Sequence, residues 1–106
     1  MLAWRILKFN MYFTYIMSNE RHSVLYVGST GDLVKRVYLH RNRMLKGFTS
    51  KYNIIKLVYY EVYKTEQEAL DREKKIKIMT RRRKEDLISK FNPCWKDLYF
   101  EIKNKF

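Results

Sequence analysis

Three observations on this 106-residue sequence predict an α+β fold, with a small three-stranded antiparallel sheet flanked by about three helices. Three short stretches are rich in aromatic and β-branched residues and read as strands. Three longer stretches place apolar residues at helical spacing. Their order is strand, strand, helix, strand, helix, helix, which lets the first two strands form a hairpin and leaves the helices to cover the sheet.

The first strand is Met11 to Met17, MYFTYIM. Ser18 to Ser23, SNERHS, is a polar turn cluster, and Val24 to Val27 completes the hairpin. Gly28 to Gly31 is expected as a loop. Asp32 to Lys46 reads as a helix, because Leu33, Val37, Arg41 and Met44 share one side with Val34, Tyr38 and Leu45 beside them. Gly47 suits its C-terminal stop. KLVYYEVY, Lys56 to Tyr63, is the strongest strand signal in the chain. A second helix runs from Thr65 to about Met79, opened by Thr65 and Glu68 as a capping box. Thr80 either caps a third helix ending near Phe91 or lies inside a continuous second one. Pro93 disfavours helix at Asn92.

The totals bound the function. One domain is the default at this length. A net charge of +12 and a pI near 9.9 favour a polyanionic partner, nucleic acid first. Cys94 is the only cysteine, so no internal disulfide can form and a cysteine-based zinc site is disfavoured. A reduced, cytoplasmic setting is the expectation. No apolar run reaches the ~18 residues of a membrane helix, and no membrane partner is expected. Arg5 and Lys8 interrupt the start, which does not read as a signal peptide. Residues 1–10 read as a dispensable extension ahead of Met11, residues 11–99 as the domain, and residues 100–106 as a basic C-terminal tail.

Several polar residues do not fit a purely structural account. Glu73 shares a helical stripe with Ala69 and Ile76, at the edge of an apolar face. A carboxylate there must be paired, protonated or bound to a cation. An ordinary salt bridge to an arginine is one reading. A metal ligand is the other, since magnesium keeps most of its waters and can be held by one carboxylate plus a substrate phosphate. Arg36 and His40 lie one helical turn apart, where a guanidinium fork suits phosphate and a histidine could assist proton transfer; a solvated helix face is the alternative. Arg81, Arg82 and Arg83 open the third helix, where cations oppose the macrodipole unless something such as phosphate favours them. Tyr15 and Tyr26 come from adjacent strands of the hairpin, either as cross-strand packing or as phenols with a polar task.

Taken together, these residues resemble the GIY-YIG nuclease family from Met11 to about Tyr99. Tyr26-Val27-Gly28 stands for the second half of the family's name. Phe13-Thr14-Tyr15 stands for the first, with only its tyrosine kept. Tyr26 follows Tyr15 by eleven positions, Arg36 follows Tyr26 by ten, and His40 lies one turn later. Glu73, within ALDREKKIK, matches the family's metal-binding glutamate, and Asn92, within FNPCWKDLY, its late polar residue beside the site. GFTSKYNIIKLVYYE, Gly47 to Glu61, is similar to small stand-alone members and to the N-terminal nuclease domain of the excinuclease C protein.

The resemblance implies metal-dependent hydrolysis of DNA phosphodiesters. Mg2+ or Mn2+ would be held by Glu73, and Arg36 would clamp the phosphate. A tyrosine would deprotonate water, with Tyr15 the first choice, Tyr26 the competitor and His40 an assistant, and Asn92 would position groups near the metal. Gly28 would let the strand end pass close to a phosphate or a neighbouring element. Lys35, Arg41 and Arg43 on the first helix would grip the DNA backbone, as would Lys74, Lys75, Lys77, Arg81, Arg82, Arg83 and Lys84 later in the chain. Weak sequence specificity is expected, with a preference for branched or damaged DNA in repair or recombination. Two rivals stand beside this: a binding module of the same fold without catalysis, and an interaction protein whose tyrosines and Trp95 pack on another protein.

Overall fold

A computed structural model describes residues 11–106; the extension expected at residues 1–10 lies outside the described residues. The elements are β1 (Tyr12–Ser18), β2 (Leu25–Thr30), α1 (Leu33–Arg41), α2 (Phe48–Lys51), β3 (Lys56–Tyr63), α3 (Glu66–Lys77), α4 (Arg81–Phe91) and α5 (Tyr99–Lys105). The three strands form one antiparallel sheet in the order β2-β1-β3. The α+β class holds, with five helices among the described residues where about three were expected.

β1 is central and covered on both faces, so it reads as a nearly continuous apolar run. Phe13, Tyr15 and Met17 point to one face, where they pack with Leu33 and Val37 of α1 and Ile102 of α5. Ile16 points to the other, toward Ile76 of α3 and Ile88 of α4. A bulge interrupts the β1–β3 register, since Ile16 pairs with Tyr59 but Met17 with Leu57. Val58 is the extra residue, and the bulge turns Val58 and Tyr59 to the same face.

The helix boundaries follow local chemistry. Asp32 caps α1, its carboxylate accepting from the Lys35 N–H at 3.1 Å. The helix ends at Arg41, short of the expected Lys46. Arg43 N–H donates to His40 O at 3.1 Å and Met44 N–H to Leu39 O at 2.9 Å, a Schellman closure with Arg43 at φ 53°. Gly47, expected as the stop of this helix, instead precedes α2, with φ 102°. The Thr65–Glu68 capping box is present on α3. Thr80 accepts from the Arg83 N–H at 3.2 Å, so α3 and α4 are separate helices.

Two further expectations are corrected. Gly28 lies within β2 and not in a loop. Residues 100–106 are no tail: α5 buries Ile102, and Phe106 packs edge-on against Phe13 at 5.0 Å between centroids.

Candidate active site

The site forms where β2 leaves the sheet, with α1 on one face of the strand and α3 on the other. Tyr15 and Gly28 are paired across β1 and β2. A Cβ built on Gly28 would stand 2.6 Å from Tyr15 Oη and 2.7 Å from Tyr15 Cζ. The glycine is therefore required by a neighbouring element, the Tyr15 ring, which passes over the strand.

On the α1 face, Tyr15 Oη lies 3.3 Å from His40 Nε2. The Tyr26 ring packs 5.4 Å from His40 and 6.4 Å from Tyr15. Tyr15 is 1% exposed, while Tyr26 and Arg36 are half-buried. Burial pushes the Tyr15 phenol far above its ordinary pKa; Tyr26 and Glu73 push the same way and Arg36 only partly offsets them. Burial, reinforced by repulsion from Arg36, lowers His40 to about 4. His40 is thus neutral near pH 7. Its Nδ1 is buried without a hydrogen-bond partner among the described residues.

On the α3 face, Ser29 Oγ donates to Glu73 Oε1 at 2.5 Å and Lys77 Nζ lies 2.6 Å from Glu73 Oε2. Burial raises the Glu73 carboxyl, but Lys77, Ser29 and Lys74 outweigh it and hold the group below the ordinary carboxylate range. The expected ion pair at Glu73 is thus present, with a lysine and not an arginine. The two faces meet at the end of β2, where Ser29, Thr30 and Arg36 line a cleft of about 240 Å³ with Glu66 and Ala69 of α3. Tyr15, Tyr26, Arg36 and His40 form one group. Glu73 joins it across β2, close enough for its charge to act on Tyr15.

Asn92 stands apart from these groups. It is buried at the C-cap of α4, where its Nδ2 donates to Val58 O at 3.1 Å and Lys96 O at 2.8 Å, and its Oδ1 accepts from Lys96 N–H at 3.2 Å. The Val58 carbonyl is the one the β3 bulge removes from regular pairing. The polar capacity of Asn92 is spent on backbone.

The cations divide similarly. Lys35, Arg43, Lys74, Lys75, Lys77, Arg82 and Arg83 are exposed, and Lys84 is half-buried. Arg41 is built into the fold: it pairs with Asp97, donates to Ile55 O at 3.4 Å and stacks over the Tyr99 ring at 4.6 Å. Arg81 donates to the His22 and Ser23 carbonyls and pairs with Glu85 at 2.9 Å, which accounts for one cation at the α4 N-terminus. Ser29 and Asp97 escaped the sequence reading. The only available signal for Ser29 was strand alternation, which puts the residue after Gly28 on the opposite face.

A hairpin phenol, a helical guanidinium and an ionised glutamate thus gather around the end of β2. Residues 11–86 match the profile of the GIY-YIG catalytic domain. The chain belongs to this nuclease family. Among its relatives, it is 39% identical to a UPF0213 protein of Clostridium perfringens over 79 residues, 74% of this chain and 84% of the relative. It is 29% identical to a UPF0213 protein of Bacillus velezensis over 97 residues, 92% of this chain and 97% of the relative. The solution NMR structure of a UPF0213 protein from Bacillus halodurans superposes with a TM-score of 0.52 at 25% identity, covering 82% of this chain and 92% of the other. Among the described residues no helix is long and apolar enough to cross a membrane.

Proposed function

We propose that this protein is a metal-dependent endonuclease that hydrolyses DNA phosphodiester bonds, with a preference for branched or damaged duplexes met in repair or recombination. The observation that carries this reading is that Arg36 and an ionised, mostly buried Glu73 both lie close enough to act on Tyr15, which itself contacts His40. The basic surface of α3 and α4 suits a phosphate backbone.

Among the described residues no cluster of three or more acidic, histidine or cysteine side chains could hold a metal. The donor set therefore fits a cation that keeps its waters and needs one carboxylate, as Mg2+ or Mn2+ does. Glu73 would hold it. Its side chain is 16% exposed, kept ionised, and already faces one cation, the Lys77 ammonium. When bound, such an ion neutralises phosphate charge and stabilises the leaving oxygen. Ser29 orients the carboxylate by donating to Oε1. Arg36 binds the scissile phosphate as charge builds on it.

The first-choice base, Tyr15, gives way to Tyr26. A phenol held protonated by burial is a poor base, whereas Tyr26 is open to solvent on one side. Neutral His40 is a weak base and serves as the hydrogen-bond partner of Tyr15. Asn92 supports the loop after α4 and does not act at the metal.

Nicking of supercoiled plasmid with Mg2+ tests the reading. Glu73→Gln should lower nicking by at least about 100-fold with an unchanged circular dichroism spectrum; nicking equal to wild type would remove the metal role. Tyr26→Phe should lose activity by a similar factor in single-turnover assays, and Tyr15→Phe by about tenfold or less. The reverse order would restore Tyr15 as the base. The Glu73–Lys77 pair favours one second reading, a binding module without catalysis. Salt-sensitive DNA binding with no nicking in either metal would establish it.

A further inference from the structure

His22, in the turn of the β1–β2 hairpin, and Trp95, in the loop after α4, pack together, and both stand on left-handed backbone. His22 has φ 58° and Trp95 has φ 51°. A bulky residue in the left-handed region crowds its own backbone, so the conformation persists only where surrounding contacts impose it. They do so here. Trp95 N–H donates to Asn92 O at 2.9 Å, and its indole N–H donates to Ser89 Oγ at 3.0 Å. Asn92 also brackets Lys96, the next residue, from both sides of its backbone. His22 N–H donates to Asn19 O at 3.0 Å, and Arg81 takes the His22 carbonyl. The two rings lie 4.9 Å apart, tilted by 44°, with the His22 Nε2 3.1 Å from Lys56 Nζ.

This pair is partly exposed and lines an open cleft of about 320 Å³ together with Glu85 and Cys94. The charge of Glu85 is matched by Arg81 at 2.9 Å. Arg21 and Lys96, chain neighbours of the two aromatics, are exposed. The setting is thus aromatic, with the paired acid Glu85 in its lining and with Lys56 and Arg81, against Glu20, acting on His22. None of it belongs to the Glu73 site. Ser29 and Ser23 are six positions apart along β2 and the turn, at most on the order of 20 Å at ~3.3 Å per residue.

We propose that the His22–Trp95 cleft is a second nucleic-acid contact, in which an unpaired base stacks on the aromatic pair while adjoining phosphates meet Lys56, Arg21 and Lys96. A base within a duplex already has both faces stacked, so an open aromatic platform selects single-stranded segments, and it does so regardless of base identity. The indole anchored to Ser89 and the imidazole anchored to Lys56 are fixed before the ligand arrives, which keeps the ordering cost low. A separation of at most ~20 Å corresponds to at most about six phosphate steps along one duplex strand. A single strand held at this cleft would place the cut no more than about half a helical turn inside the adjoining duplex. The inference rests on the nuclease reading and adds to it the feature that selects a flap or a splayed end.

The test uses the full chain carrying Trp4→Phe, which leaves Trp95 as its one tryptophan. A short oligothymidylate should quench Trp95 fluorescence. Trp95→Ala should weaken binding of the single strand and of a flapped duplex by about tenfold or more, with blunt duplex changed by less than about twofold. Trp95→Phe should retain most of the affinity, with thermal unfolding checking each variant. Absence of quenching in the Trp95-bearing chain overturns the proposal, as does an equal loss on blunt duplex. Quenching by polyglutamate equal to that by oligothymidylate overturns it in favour of an acidic protein partner. Blunt-duplex nicking by Trp95→Ala at wild-type rate, with no effect on flaps, would remove this contact and leave the Glu73 chemistry standing.

Discussion

Gly28 and Tyr15 are two halves of one arrangement at the scale of single residues. The Tyr15 ring occupies the space a Gly28 side chain would need, and the phenol thereby reaches His40. Gly28→Ala forces a well-packed ring to move, because the nearest atoms include Tyr15 Cζ at 2.7 Å and not a flexible chain end. The expected cost is about 1–3 kcal/mol of stability by urea unfolding, with nicking reduced beyond what the loss of folded protein explains. Wild-type stability would mean that Tyr15 has room to swing aside. Glu73 illustrates the complementary case, since its ionised state is set by the contacts it makes, Ser29 and Lys77, against the pull of burial.

Among the elements, the bulge in β3 has the widest consequences. It puts Val58 and Tyr59 on one face and withdraws the Val58 carbonyl from regular pairing, where Asn92 meets it. One side chain thus joins the sheet, the end of α4 and the loop that carries Trp95. Asn92→Ala leaves a buried carbonyl unsatisfied and releases both backbone groups of Lys96. It should cost about 2–4 kcal/mol in chemical denaturation. It should also raise hydrogen-exchange rates in residues 94–97 while leaving those of β2 near wild type. Unchanged stability would show that water replaces the amide fully. A second clamp, Glu61 with Tyr59, Tyr63 and Arg72, ties α3 to β3, and Arg72 Nε lies 2.9 Å from Glu61.

For the whole molecule, the buried titrating groups and the net charge of +12 act in the same direction. His40 falls from 6.5 to about 4 through burial and Arg36. Between those two values the unfolded chain binds a proton that the folded chain refuses, so stability declines as pH falls. Glu61 and Glu73 are held below 4.5 despite their burial by the donors around them, which extends the decline through and below that pH. The His40 share is on the order of 3 kcal/mol between pH 7 and pH 4. Urea unfolding across that range should show it, and His40→Gln should flatten the upper part of the profile. A variant profile parallel to wild type would mean that His40 charges freely in the fold. Self-repulsion among the cations steepens the acid limb and is relieved by a polyanionic partner.

The strands β1 and β3, the capping box on α3 and the α+β class were determined by local sequence. Aromatic and β-branched runs, helical spacing and a Thr65–Glu68 pair act over a few residues and need no distant partner. The spacing of Tyr15, Tyr26, Arg36, His40 and Glu73 was legible for the same reason: hairpin register and helix pitch convert position into direction. Only tertiary structure decided what each of these side chains meets. Burial raised the Tyr15 phenol and kept His40 neutral, the β3 bulge drew Asn92 into backbone contacts, and Asp97 drew Arg41 into the fold. The end of α1 at Arg41 and the packing of α5 were likewise decided at a distance. A non-glycine residue can occupy a left-handed cap, and a basic segment can bury its few apolar residues, only when the rest of the molecule supplies the partner.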